Sequence, residues 1–65
     1  MIKTIDMRIY DNKDGTYDVM PIADNGGVIT LLPVPEEDLD EILADMKRSY
    51  REAFGDVEFT ETIVE

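Results

Sequence analysis

The chain has 65 residues, a formal net charge of −10 from 16 acidic and 6 basic side chains, and neither histidine nor cysteine. A chain of that length is one domain, residues 1–65, and buries only about 60% of the surface its unfolded form exposes. The missing residue types exclude a disulfide and remove the commonest general base and metal ligand, while the charge opposes direct contact with nucleic acid or anionic lipid, whose phosphates need clustered Lys and Arg.

Residues 2–10 alternate. Ile5, Met7 and Ile9 share one face, and Thr4, Asp6, Arg8 and Tyr10 share the other, which predicts a half-buried first strand. Asp11-Asn12-Lys13-Asp14-Gly15 is a cluster of turn formers, with Asp14-Gly15 suited to a tight hairpin. A second strand is expected over 16–22, with Tyr17 and Val19 on one face. Pro21 has no N–H, so either the strand is an edge there or the ladder breaks; a bulge near Met20-Pro21 would return Ile22 to the core face.

Asp24-Asn25-Gly26-Gly27 forms the second turn, and residues 28–34 read as a third strand. This run is apolar nearly throughout, which suggests burial on both faces and leaves Ile29/Leu31 or Val28/Leu32 as the inward set. Pro35 suits the first position of a helix. Leu39, Ile42, Leu43, Met46, Tyr50, Ala53 and Phe54 then recur at helical spacing, predicting a helix over 36–54, about 28 Å long at 1.5 Å per residue and closed by Gly55. Val57, Phe59 and Ile63 mark a fourth strand over 57–64, parallel to the first and third and able to pair with either. The expected fold is α+β: a three-stranded antiparallel meander, one amphipathic helix packed on one sheet face, and a C-terminal fourth strand, in the order β-β-β-α-β.

No apolar run approaches the roughly 20 residues of a membrane span, and the first residues lack the apolar stretch of a signal peptide, so a cytoplasmic protein without membrane contact is expected. Catalysis finds no support. No nucleophile–base pair is suggested by the spacing, no Gly-rich phosphate loop is present, and no cofactor is implied. The Asp11–Asp18 loop fails as a calcium site, because Gly15 at the sixth position of such a loop puts Tyr10 at the first.

The candidate features are therefore surfaces. Glu36, Glu37, Asp38, Asp40, Glu41 and Asp45 crowd the first half of the helix and Lys47, Arg48 and Arg51 follow. This order complements the helix dipole, and acidity also keeps a small protein soluble. Six carboxylates within ten residues nevertheless exceed what a dipole calls for. Glu36, Glu37, Asp40, Glu41 and Asp45, with Asp11, Asp14 and Asp18 of the first hairpin, form a candidate anionic surface for a larger protein with a basic groove. Tyr10, Met20, Leu32 and Val64 form a candidate apolar patch on the uncovered sheet face, where a second copy could bind; an unpaired edge strand offers another route to a homodimer.

In size and charge the chain is similar to small acidic inhibitors made by bacteriophages, including anti-CRISPR and DNA-mimic proteins; composition carries the likeness and no residue motif does. The resemblance implies an inhibitor that blocks a basic nucleic-acid- or nucleotide-binding groove of a bacterial defence protein by charge mimicry. The alternative is a homodimeric structural or assembly subunit whose acidity only confers solubility.

Overall fold

The alternating and helical patterns both appear in the computed structural model of the chain, which describes residues 2–64. Strands β1 (Thr4–Asp11), β2 (Thr16–Ala23) and β3 (Leu32–Pro35) precede a short 3-10 turn (Glu36–Asp38), helix α1 (Leu39–Phe54) and strand β4 (Glu58–Val64). They form one four-stranded mixed sheet in the order β3-β2-β1-β4, with the helix on one face. The β1–β2 and β2–β3 pairs are antiparallel; β4 runs parallel to β1.

Of the two strands that could have received β4, the edge of β3 is chemically closed. Glu36 donates its N–H to the Gly15 carbonyl at 3.0 Å, and Tyr17 and Val19 face Val34 and Leu32 in the same register. In an antiparallel ladder alternate residues point their backbone groups at the partner, so Pro33 and Pro35 turn their nitrogens to the open side. Proline has no N–H to offer there. The free side of β1 carries no such block, and Glu58 donates to the Lys3 carbonyl at 2.9 Å to begin the parallel pairing.

Pro21 does break a ladder, but without a bulge in β2. The β1–β2 register runs unshifted from Ile5↔Ala23 to Asp11↔Tyr17, so Pro21 lies opposite Met7 on the core face and Ile22, opposite Asp6, stays on the outer face. The missing donor faces the third strand. There Ile29 gives its N–H to the Pro21 carbonyl at 3.0 Å and Val28 bridges Ile22, but regular pairing resumes only with Leu32 opposite Val19. Three residue steps on one strand thus match two on the other, placing a bulge at Thr30-Leu31. The bulge changes the inward set: Ile29 before it and Leu32 and Val34 after it all take the helix side. The expected strand 28–34 therefore shrinks to four residues, and it is not buried on both faces, since Val28 and Leu31 are exposed.

Ile5, Met7, Ile9, Val19, Val34, Leu43 and Val57 form the core. The helix enters from β3 at one edge and leaves toward β4 at the other, so one helix crosses four strands obliquely. Its seam is covered accordingly: Leu43 is buried, Leu39, Ile42, Met46 and Tyr50 are half-buried, and Ala53 and Phe54 are exposed. Pro35 is extended (φ −60°, ψ 144°) and ends β3 instead of opening the helix. Gly55 stops the helix at φ 85°, ψ −143°, a backbone conformation essentially reserved for glycine, with its N–H on the Arg51 carbonyl.

Candidate functional site

Hairpin β1–β2 and the start of the helix meet at one end of the molecule. The Glu36 N–H to Gly15 carbonyl bond joins them directly. Tyr17 reports the proximity: the Asp11 charge, partial desolvation and the Glu36 charge together push its hydroxyl pKa up. Asp11, Lys13, Asp14 and Asp18 belong to this hairpin, and Glu36, Glu37, Asp38, Asp40 and Glu41 follow in the first helical turns of the chain that the Glu36 bond ties to it.

The hairpin acids and the helix acids play different local roles. Asp11 accepts the Lys13 N–H at 2.8 Å, Asp14 accepts the Thr16 N–H at 3.0 Å, and Asp18 accepts from Asn12 Nδ2 at 3.1 Å. The Thr16 hydroxyl and N–H hold the Asp14 pKa below its ordinary value. These three carboxylates shape the turn, in keeping with Asx-turn chemistry. By contrast, no side-chain hydrogen bond or ion pair engages Glu36, Glu37, Asp38, Asp40 or Glu41 among the described residues. Asp38 stands at the N-cap of α1 without making a side-chain cap bond. Asp45 lies farther along the helix and is neutralised by Arg48. The candidate surface therefore centres on Glu36–Glu41, adds Asp38, and loses much of Asp45's charge. Among the described residues no three carboxylates converge as metal ligands would, so the end presents a spread surface.

Positive charge lies toward the opposite edge. Lys47 Nζ donates to Glu61 on β4 at 2.8 Å, Arg51 covers the Phe59 ring with its guanidinium carbon 5.3 Å from the centroid, and Arg8 lies beside Thr62 on β1.

On the sheet face away from the helix, Tyr10, Met20 and Val64 occur as the pattern implies, together with Ile22 and Pro33. Leu32 is not among them. Its pairing with Val19 turns it to the helix side, where with Thr30, Ile42, Met46 and Tyr50 it lines a notch of about 280 Å³ left by the bulge. The outer face is also more polar than the apolar pattern suggests. Asp6 accepts the Thr60 and Thr62 hydroxyls at 2.9 and 3.0 Å and lies 3.4 Å from Arg8 Nε, stitching β1 to β4.

Partial burial raises the Asp6 pKa, but the bonds from Thr60, Thr62 and Arg8 outweigh it and hold it below the ordinary 3.8. A depressed folded-state pKa stabilises the fold above the unfolded pKa, and the contribution disappears as pH falls through the folded value. Asp6→Ala is expected to cost about 1–2 kcal/mol at pH 7, the net worth of a few hydrogen bonds, one of them to a charged donor. The difference from the parent should shrink as pH falls below the ordinary 3.8 and through the depressed folded value, where the carboxylate of the parent becomes protonated too. Urea melts of both proteins along a descending pH series provide the check.

The molecule is thus a small α+β domain with one acidic end, one uncovered sheet face, and, among the described residues, no helix long and apolar enough to cross a membrane. No protein-family model matches the chain, and comparison with curated proteins and with solved structures likewise gives no match.

Proposed function

We propose that the protein is a small acidic binding module that inserts its carboxylate end into a basic groove of a larger protein, a groove that otherwise holds nucleic acid or nucleotide phosphates. One observation carries the reading: Glu36, Glu37, Asp38, Asp40 and Glu41 are exposed and, among the described residues, engaged by no base, and the Glu36 N–H ties their segment to the first hairpin at Gly15. DNA presents one charge per about 1.7 Å of axis, so a competitor for its site needs many carboxylates on one surface, and the crowding of acids within Glu36–Glu41 supports that reading. Likeness in size and charge to bacteriophage inhibitors supports a bacterial defence protein as the target. No catalytic step belongs to this reading, in a chain without histidine or cysteine.

The test is capture from a bacterial lysate on the immobilised chain and on a Glu36→Gln, Glu37→Gln, Asp40→Asn, Glu41→Gln variant, at about 50 and about 500 mM salt. A partner should be held by the parent at low salt, released at high salt and missed by the variant. Its nucleic-acid or nucleotide binding should then be competed by the parent chain. Retention that is equal at both salts, or equal on the variant, refutes the proposal.

A further inference from the structure

The two edges of the sheet are treated differently. At β3 the outward backbone positions are Pro33 and Pro35, which cannot donate. At β4 no such guard exists. Because Glu58 points its N–H to β1, the alternate residues Phe59, Glu61 and Ile63 point their N–H and C=O groups outward, and the edge carries no proline. Open edges of this kind pair with further strands unless something blocks them. Ile63 is also 66% exposed at this edge, the largest exposure of any large apolar side chain described.

We propose that β4 pairs antiparallel with β4 of a second copy about a two-fold axis at Glu61, joining two sheets into one of eight strands. The strand is complementary to itself in this register. Phe59 meets Ile63 of the other copy on the helix side, Thr60 meets Thr62 on the outer side, and the outward groups of Phe59, Glu61 and Ile63 form about six inter-chain hydrogen bonds. Glu61 faces its own counterpart, which alone would repel, but each arrives with Lys47 on its carboxylate at 2.8 Å. The charge distribution fits as well: Arg8, Lys47 and Arg51 sit beside β4, whereas the helix acids start at the β3 edge, so the two acidic ends point away from each other. The interface is small, and small interfaces are weak, so a dissociation constant on the order of 100 µM is expected.

Sedimentation of the full chain from about 10 µM to about 1 mM in physiological salt should show a monomer passing to a dimer. Over the same range the amide resonances of Phe59, Glu61 and Ile63 should shift most. Chemical synthesis of the chain with a methyl group on the Ile63 amide nitrogen removes one outward donor and no bond to β1; association should weaken at least about tenfold with an unchanged circular dichroism spectrum. Glu61→Gln should tighten the dimer and Lys47→Gln should loosen it, a pair of opposite effects that misfolding does not produce. A chain that stays monomeric at about 1 mM, or a dimer indifferent to the methyl group and to both substitutions, overturns the proposal. Neither result bears on the helix acids, which start at the β3 edge.

Discussion

Leu43→Ala is expected to destabilise the domain by about 2–5 kcal/mol, the cost of removing buried methyl groups and leaving a cavity. Folded domains have about 0.05–0.15 kcal/mol of stability per residue, so a chain of this size holds only about 3–10 kcal/mol in total. The substitution therefore removes between a fifth and all of it. Leu43 has this leverage because it is the only helix residue in the buried core, where Ile5, Met7, Ile9, Val19, Val34 and Val57 surround it. The other seam residues remain half in water and cannot compensate. Ile63→Ala, at a site mostly exposed in the single chain, should change stability by less than about 0.5 kcal/mol at micromolar concentration. Urea denaturation followed by helix circular dichroism compares the two. A Leu43→Ala midpoint near that of the parent means that the helix is not anchored through this residue.

The same geometry explains what could be read in advance. The alternation of Ile5, Met7 and Ile9 and the stripe from Leu39 to Phe54 are local periodicities, and the structure realises both. The features that escaped depend on a neighbour. The bulge at Thr30-Leu31 arises because Pro21, nine residues before Thr30 and on another strand, has no N–H to give. Reading 28–34 alone, either alternating set looks equally good, and neither survives the bulge; Leu32 is assigned to the wrong face for this reason. Likewise, β1 and β3 run in the same direction, so direction alone leaves the partner of β4 open. Pro33 and Pro35 discriminate between them once the side of the ladder they face is known. At the candidate site the crowding of the helix acids is visible in the chain itself. Their meeting with the first hairpin rests on the Glu36–Gly15 bond, which no spacing rule announces. Asp6 with Thr60 and Thr62 joins residues 54 and 56 positions apart and leaves no local signal.

Stability should rise with salt, by about 1–3 kcal/mol between about 10 mM and about 1 M sodium chloride, as the Debye length falls from about 30 to about 3 Å. Two like charges ~8 Å apart in water repel by about 0.5 kcal/mol. The eight carboxylates at the acidic end form many more such pairs than there are attractions to lose. The attractions are the helix dipole, worth about 0.3–1 kcal/mol per well-placed acid, and, among the described residues, the ion pairs Arg8–Asp6, Lys47–Glu61 and Arg48–Asp45, each worth about 0–1 kcal/mol. Screening therefore removes more repulsion than attraction. In a domain this small each kcal/mol moves the melting temperature by about 4–8 °C, so thermal melts at about 5 µM, well below the range of strand-edge pairing, resolve the effect. The Glu36→Gln, Glu37→Gln, Asp40→Asn, Glu41→Gln variant should melt higher than the parent at low salt and respond less to added salt. Solubility needs net charge but not its concentration in one corner. A corner that costs stability when screening is weak is what a surface shaped for a cationic partner requires, because the partner's bases then relieve the repulsion on binding. If stability is flat or falls with salt, the carboxylates are not in conflict with one another, and the physical reason to assign them a partner is gone.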